Sequence, residues 1–413
     1  MKNNQKIPDG WSVKKLGEIS QVITGSTPQT LDVTNYGNEF LFVSPADIND
    51  NVKYITDTTT KLSSKGFSLC RIIKKGSPMF VCIGSTIGKT ALAGIDLATN
   101  QQINSCIVKN CINNEFLYYN LSFQSNKIRL LAGEQAVPII NKSTFEKIKL
   151  SIPPLPEQEK IAEILGTWDK AIEKLSHLIE QKKLLKKGLM QRLLTGKVRL
   201  FKTSQGARKN ERFSQPWKEV KLGEISERIF RKNIKLEKVV ATISAQYGFI
   251  KQEQFFSKSV AGSDLSKYYL ILNGEFGYNR SYSKGYPMGA IKRLDYFSQV
   301  AVSTLYICFK LTKSVNSNFM KYWFDAGLLN IELYKVAQEG ARNHGLLNIT
   351  NSDFFNTIVF IPSDLSEQQT IADVLTKADE EIDLLNKKLT LFKEQKKGLM
   401  QQLLTGNIRV KVN

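Results

Sequence analysis

The sequence predicts an α+β protein in which two β-rich globular halves are separated by two long helices. The helices are expected to pack as an antiparallel coiled coil, with pseudo-twofold symmetry. Three observations predict this class: an internal repeat, short apolar runs in the middle of each copy, and a coiled-coil spacing at the end of each copy. The predicted domains are 1–155 (globular), 156–200 (central helix), 201–212 (linker), 213–363 (globular) and 364–413 (C-terminal helix and tail).

The repeat is carried by two blocks. Trp11–Ser20 reads WSVKKLGEIS and Trp217–Ser226 reads WKEVKLGEIS, at an offset of 206. Lys186–Gly196 reads KKGLMQRLLTG and Lys396–Gly406 reads KKGLMQQLLTG, at an offset of 210. The stretches between the blocks have drifted apart. Each half therefore has a fixed start, a variable middle and a fixed end.

The variable middles, about 20–150 and 227–360, have the pattern of β-rich domains. Short β-branched or aromatic runs, such as 80–83 and 305–309, alternate with clusters of Gly, Asn, Ser and Pro. A few helices are expected among them, including 114–123 and 318–326.

The fixed ends have the pattern of long helices. Their apolar residues are spaced alternately by three and four positions, at Ile161, Leu165, Trp168, Ile172, Leu175 and Ile179, and at Ile371, Leu375, Ala378, Ile382, Leu385, Leu389 and Phe392. This average of 3.5 residues is a coiled-coil seam, and each helix of about 38 residues would be about 57 Å long. The two seams are expected to pack on each other; the alternative is that each packs on its own globular half.

Composition favours a polyanionic partner. The formal net charge is +20, and clustered lysines and arginines bind phosphates with release of counterions, although such charge also serves solubility alone. The five scattered cysteines do not suggest a disulfide framework, and neither a signal peptide nor a membrane span is expected. A cytoplasmic protein is predicted.

Motifs for catalysis or cofactors are weak. The segment 84–90, GSTIGKT, has three residues between its glycines where a phosphate-binding loop needs four, so a tight loop in a β-rich domain is expected. Cys106 and Cys111 have no second pair at zinc-ligand spacing, and His177 and His344 are the only histidines. No cofactor, no metal and no catalytic residue is predicted.

The candidate nucleic-acid-binding residues lie in the variable middles. In the second, 278–286 interleaves aromatic residues with Asn, Arg and Lys, and 340–345 is a polar segment bracketed by glycines. Such side chains can bind base edges and phosphates; the alternative is a solvated loop. The first middle offers weaker counterparts in 85–89 and 133–135. The predicted residues are Asn279, Arg280, Tyr282, Lys284, Arg342, Asn343, Lys89, Ser85 and Gln135.

Taken together, these motifs resemble the specificity subunit of type I restriction-modification systems. The resemblance is carried by LGEIS near each start, by Pro154–Ala162 (PLPEQEKIA), and by the ending GLMQxLLTG at 188–196 and 398–406. It covers nearly the whole chain. The second helix opens with Ser363–Gln368 and lacks the usual run of prolines, so the hinge there is expected to differ.

The resemblance implies a non-catalytic subunit with two target recognition domains, each reading one half of a split sequence in double-stranded DNA. It implies that the helices set the gap between the half-sites. It also implies two methyltransferase subunits and two restriction/translocase subunits as partners, which carry the catalysis. The alternatives left open by the residues are a coiled-coil adaptor for proteins, a nucleotide hydrolase built on 84–90, and an RNA-binding protein.

Overall fold

The computed structural model describes residues 7–49, 52–133, 137–202, 211–212, 215–234, 237–255, 264–337 and 345–412. The chain forms two compact units. Unit 1 comprises Met1–Leu178 together with Asn386–Asn413, and unit 2 comprises Ile179–Leu385. Each unit therefore contains one variable middle and a part of both long helices.

The strands of unit 1 are short, as expected for a β-rich middle punctuated by turns. They are β1 (Ser12–Lys15), β2 (Ser20–Thr24), β3 (Tyr36–Val43), β4 (Tyr54–Ile55), β5 (Thr60–Leu62), β6 (Ile72–Ile73), β7 (Pro78–Val81), β8 (Thr90–Ala93), β9 (Leu97–Thr99), β10 (Ile103–Val108) and β11 (Lys149–Ile152). They form a five-stranded sheet in the order β2-β10-β7-β8-β4, a four-stranded sheet in the order β5-β3-β9-β6, and the pair β1-β11.

The helices that begin in unit 1 are α1 (Leu16–Ile19), α2 (Ser64–Ser68), α3 (Asn114–Phe123), α4 (Ser125–Arg129), α5 (Lys142–Glu146) and the long α6 (Leu155–Leu193), with a 3₁₀ turn at Val33–Asn35. Asn113 caps α3 by accepting a hydrogen bond from the Phe116 amide. Helix α6 has 39 residues and continues into unit 2.

Unit 2 repeats this plan. After the short pair β12 (Phe201–Lys202) and β13 (Glu211–Arg212), its strands are β14 (Trp217–Lys221), β15 (Ser226–Arg228), β16 (Val240–Ser244), β17 (Gly248–Lys251), β18 (Tyr269–Leu272), β19 (Phe276–Asn279), β20 (Ala290–Arg293), β21 (Gln299–Val302), β22 (Ile307–Leu311) and β23 (Ile358–Pro362). Its helices are α7 (Gln252–Phe255), α8 (Ser317–Asp325), α9 (Asn330–Val336), α10 (Asn351–Asn356) and the 40-residue α11 (Leu365–Leu404), with 3₁₀ turns at Leu222–Glu224 and Leu265–Lys267.

The two units have matching sheet topologies. The orders β15-β22-β19-β20 and β17-β16-β21-β18 in unit 2 correspond to β2-β10-β7-β8 and β5-β3-β9-β6 in unit 1. Strand β4 has no counterpart among the described residues of unit 2. Each pattern also contains one matching parallel pair, β3 with β9 and β16 with β21. Although the variable middles differ in sequence, they therefore fold alike.

The fixed start of each half pairs with the strand that leads into a long helix. Ser12–Lys15 pairs antiparallel with Lys149–Ile152, and Trp217–Lys221 pairs with Ile358–Pro362. Within the repeated LGEIS, Leu16 and Leu222 are fully buried. The repeated block therefore closes each globular domain at the point where its helix begins.

The long helices pack together within each unit. In unit 1, Trp168 of α6 contacts Phe392 of α11 edge to face, with ring centroids 5.4 Å apart. In unit 2, Lys182 of α6 lies 2.7 Å from Glu381 of α11. Because the first part of α6 meets the last part of α11 in unit 1, and the reverse holds in unit 2, the helices are antiparallel. The predicted α+β class with paired long helices is confirmed.

Both long helices also contribute residues near their two ends to the globular cores, which the seam pattern alone does not predict. The core of unit 1 includes Ile161 and Leu165 of α6 and Leu403 and Leu404 of α11. The core of unit 2 includes the equivalent Ile371, Leu375 and Leu193, together with Leu194 just after α6. All predicted seam residues are buried or half-buried. Among the described residues, no helix combines the length and apolarity needed to cross a membrane.

Candidate nucleic-acid interface

The two segments singled out in the sequence occupy the same position in the two units. In unit 1 the loop 82–89 joins β7 to β8, and in unit 2 the loop 280–289 joins β19 to β20. Each pair of strands is antiparallel and lies next to the equivalent strand, β10 or β22. Two unlike sequences are therefore presented at one topological position.

Backbone hydrogen bonds fix the conformation of the unit 1 loop, 82–89. Gly88 donates to the Val81 carbonyl at 3.1 Å, Lys89 to Thr86 at 3.3 Å, and Gly84 to Pro138 at 3.0 Å. Gly84 and Gly88 have φ values of 93° and 103°, which favour glycine. Because these amides bond to carbonyls of the chain, they do not form the amide cradle of a phosphate-binding loop.

The predicted side chains of this loop differ in exposure. Ser85 is exposed at the tip. Lys89 is half-buried, and its Nζ donates to the Pro45 carbonyl, 3.1 Å away, in the segment that follows β3. Lys89 thus joins the loop to a second segment, while Ser85 is free to meet a ligand.

In unit 2, Asn279 and Arg280 make bonds that shape the loop. The Asn279 amide nitrogen donates to the Ile243 carbonyl at 2.9 Å, and its oxygen accepts from the Ser281 amide at 3.0 Å. The Arg280 guanidinium donates to the carbonyls of Ile349 at 2.8 Å and Leu305 at 3.0 Å. Burial lowers the pKa of Arg280 below its ordinary value. These two side chains therefore position the loop.

Tyr282 and Lys284 point outward from the same loop. Tyr282 is 62 % exposed and Lys284 is exposed. Neither side chain takes part in an ion pair within the described ranges. A tyrosine and a lysine at the tip of one loop can stack on a sugar or base and bind a phosphate.

In each unit, a residue that follows the second predicted segment lies beside the first. Ile83 bridges to Ile139, and Ser281 bridges to Leu346. The Tyr282 amide donates to the Gly345 carbonyl at 2.9 Å. The predicted residues Gln135, Arg342 and Asn343 lie outside the described residues.

A third segment, which the sequence interpretation missed, completes this surface in unit 2. The turn between β16 and β17 consists of Ala245, Gln246 and Tyr247, because Ser244 pairs with Gly248. With the loop 280–289 it encloses a groove of about 470 Å³. The groove is lined by Thr242, Ile243, Ser244, Ala245, Gln246, Tyr247, Asn279, Ser281, Ser283, Lys284, Tyr286, Ala290 and Tyr306. The available signal was a three-residue loop followed by glycine between two alternating strands.

Unit 1 has a longer segment at this point. The chain between β3 and β5 includes β4, and its start is fixed by Asp47, whose carboxylate accepts from the amides of Ser44 at 2.8 Å and Thr59 at 2.9 Å. Burial alone would raise the pKa of Asp47, but these backbone hydrogen bonds outweigh it and the pKa is lowered. The two units therefore differ in the segment beside this surface.

Away from the loops, the two units share a joint at the start of each long helix. In unit 2 the carboxylate of Glu367, which is fully buried, accepts from Arg199 Nε at 2.9 Å and Nη2 at 2.5 Å, and the Trp217 indole lies 3.5 Å away. In unit 1 the corresponding Glu157 accepts from Arg409 and Trp11.

The next residue of each motif is a buried glutamine. Gln158 donates to the Pro153 carbonyl and accepts from the Asn113 amide, and Gln368 makes the same two bonds with Pro362 and Asn316. The repeated Glu-Gln pair thus ties each long helix to its globular domain. Arg199 and Arg409, also 210 residues apart, were missed because they lie three residues beyond the repeated block.

A second joint connects both long helices with the globular domain. In unit 2, Asp379 of α11 accepts from Lys186 of α6 at 2.5 Å and from the Tyr322 hydroxyl of α8 at 2.9 Å. In unit 1, Asp169 accepts in the same way from Lys396 and from Tyr119 of α3. Burial raises the pKa of both tyrosines, which keeps their hydroxyls protonated as donors. The repeated lysine at the start of KKGLM therefore has a structural role.

The buried cysteines have the properties of core residues. Burial raises the pKa of Cys82, Cys106 and Cys308 to about 12 in each case, so the reactive thiolate is scarce at neutral pH. Within the described ranges, no group of three or more His, Cys, Asp and Glu side chains is arranged to hold a metal ion.

Comparison with known proteins identifies the family. The family described as "Type I restriction modification DNA specificity domain" matches residues 8–182. The MjaVIII type I specificity subunit of Methanocaldococcus jannaschii is 25 % identical over 420 residues, which cover 98 % of this chain and 95 % of that protein. This chain belongs to the specificity subunits of type I restriction-modification systems. It is the DNA specificity subunit of such a system and is itself non-catalytic.

Other relatives match parts of the subunit or its fold. The HindI specificity subunit of Haemophilus influenzae is 33 % identical over 204 residues, which cover 46 % of this chain and 42 % of that protein. The crystal structure of the S subunit from M. genitalium has the same fold, with a TM-score of 0.54 and 16 % identity over 98 % of both chains.

Proposed function

We propose that each unit of this subunit reads one half of a bipartite site in double-stranded DNA, and that α6 and α11 set the gap between the half-sites. The observation that carries the proposal is the contrast between the loops and the joints. The segments around the loops 82–89 and 280–289 differ between units, whereas the Glu157 and Glu367 joints are the same. Two unlike loop surfaces suit two unlike half-sites.

The repeated joints suggest repeated partners. We propose that the subunit docks two methyltransferase subunits, one at each equivalent end of the helix pair, and that two restriction/translocase subunits complete the complex. Support comes from the exposed positions of the repeated block, Lys187 and Gln191 in one copy and Lys397 and Gln401 in the other, since identical partner surfaces require identical residues at both sites. The methyltransferase would act on DNA at the position chosen by the two loop surfaces.

The net charge of +20 agrees with a phosphate-binding surface. Lys284 at the rim of the groove and Ser85 at the tip of the other loop supply polar side chains to such a surface. We place the working complex in the cytoplasm, where a bacterial or archaeal chromosome is reached.

The experiment is a genome-wide map of adenine methylation in the host, with and without this gene. We expect one split motif with a fixed gap to disappear when the gene is deleted and to return with the wild-type gene. A continuous motif, or an unchanged methylation pattern from a host whose methyltransferase partner is expressed, would contradict the proposal.

A further inference from the structure

The β16–β17 hairpin of unit 2 is a short two-stranded element that ends in a three-residue turn. Strand β17 lies at the edge of its sheet, in the order β17-β16-β21-β18, and within the described part of the chain it pairs with β16 alone, so the hairpin forms a two-stranded ribbon at that edge. Its three-residue loop ends at Gly248, whose φ of 73° is the left-handed conformation that closes such loops. The Tyr247 amide donates to the Ser244 hydroxyl at 3.2 Å, which fixes the tip.

The tip presents two large side chains to solvent. Tyr247 is 64 % exposed and Gln246 is exposed. The Gln246 amide group makes no hydrogen bond with another described residue, so both its donor and its acceptor are available to a ligand. The hydrogen bond from Tyr247 to Ser244 within the turn limits the entropy lost when the tip binds.

The groove beside the tip is suited to an anionic backbone. Lys284 is the only charged side chain among the residues that line it. The Ser283 hydroxyl is buried in the groove wall and has no hydrogen-bond partner among the described residues, so the wall retains an unused polar group. A surface that carries a lysine, several hydroxyls and no carboxylate can bind the sugar-phosphate backbone of a nucleic-acid strand.

We infer that the β16–β17 tip is a specificity element that enters the DNA major groove and reads an adenine through Gln246. The inference rests on the proposed reading of DNA by unit 2. The major groove of B-DNA admits a two-stranded β-ribbon, and a glutamine amide pairs with adenine N6 and N7 through two hydrogen bonds. With the tip in the groove, Lys284 and the hydroxyls beside it contact the adjacent backbone.

The test is the variant Gln246→Ala, expressed with the methyltransferase partner in the host that lacks the wild-type gene. Methylation is mapped genome-wide, and the purified complex is titrated with the cognate duplex and with duplexes substituted at each position. The matched control is Gln254→Ala, an exposed glutamine on helix α7, which follows β17. Because Gln246 is exposed, its replacement is expected to leave the melting temperature unchanged.

We expect Gln246→Ala to relax one adenine position in one half-site, with a loss of about 5- to 150-fold in discrimination there. The other half-site and the gap should stay the same, and Gln254→Ala should behave as wild type. If Gln246→Ala leaves the methylated motif unchanged, or weakens binding equally on every sequence, the inference is overturned. The proposed function would still stand in that case, provided that the wild type methylates a split motif. Absence of a split motif for the wild type itself would instead contradict the proposed function.

Discussion

Arg199 and Glu367 form a two-pronged ion pair at the start of α11. Nε and Nη2 of the arginine lie 2.9 and 2.5 Å from the two carboxylate oxygens, and the Glu367 side chain has no exposed surface. This hydrogen bonding raises the pKa of Arg199 above its ordinary value. The pair connects the segment after α6 with the first turn of α11 inside unit 2, and Arg409 with Glu157 repeats it in unit 1.

Replacement of Arg199 by alanine should destabilise unit 2. The buried Glu367 carboxylate would lose its cationic partner, which costs about 2 kcal/mol of unfolding free energy. Arg199→Lys should recover part of the loss, because lysine keeps the charge but cannot form both bonds in this fork geometry. Thermal unfolding of the purified subunit measures both effects. The control is Arg192→Ala, an exposed arginine at the end of α6; equal melting temperatures for the two alanine variants would contradict the prediction.

Glu115 should give unit 1 an acid-sensitive contribution to stability. Burial alone would raise its pKa, but the hydrogen bonds from Lys53, at 2.6 Å, and from Tyr54 outweigh burial and hold the pKa below the ordinary 4.5. A carboxyl whose pKa is lowered by folding stabilises the folded state above the unfolded pKa, and that stabilisation is lost as the pH falls through the folded pKa.

The measurement is the melting temperature of wild type and Glu115→Gln between pH 7 and pH 3. Wild type should be the more stable at pH 6 to 7, and the difference should shrink as the pH falls below about 4.5. Glu159→Gln, at an exposed position on α6, should show no such difference. A difference in melting temperature between wild type and Glu115→Gln that stays constant down to pH 3 would rule out this role for Glu115.

Much of the architecture can be predicted from the sequence, because repeats and apolar spacing are local signals. Helix α3 covers the predicted 114–123, α8 lies within one residue of 318–326 at each end, and the long helices begin at Leu155 and Leu365, close to the predicted boundaries. The division into functional domains stays a prediction. The offset of 210 could also have identified Arg199, since it relates that residue to Arg409.

The binding surface is harder to predict, because its residues come from distant segments. Ser244–Gly248 is brought to the loop 280–289 by the parallel pairing of β16 with β21 and by the hydrogen bond from Asn279 to the Ile243 carbonyl, long-range contacts that no local pattern encodes. Conversely, Arg280 is an attractive base-contacting residue in the sequence, but its bonds to the Leu305 and Ile349 carbonyls depend on the tertiary fold.

Arg280→Ala separates these two roles. The two carbonyls would lose their donor, so we expect a lower melting temperature, equivalent to about 1–2 kcal/mol, and a loosened loop. Methylation should then decrease over the whole half-site read by unit 2. A direct contact with guanine would give a different result: relaxation at a single guanine position with an unchanged melting temperature. Methylation mapping combined with thermal unfolding distinguishes the two.

The helix pair offers a test of the proposed spacing role. Seven residues inserted between Leu178 and Ile179, and seven between Leu385 and Asn386, fall where the two compact units divide, so every joint within a unit keeps its partners. Seven residues also preserve the phase of a 3.5-residue seam and lengthen a helix by about 10 Å. Because one turn of DNA of about 34 Å contains about 10 base pairs, the gap between half-sites should grow by about three base pairs while both half-sites stay the same.

Methylation mapping of the double insertion measures the new gap, and insertion into α6 alone serves as the mismatched control. A double insertion that methylates the original motif with its original gap would show that the helices do not set the spacing.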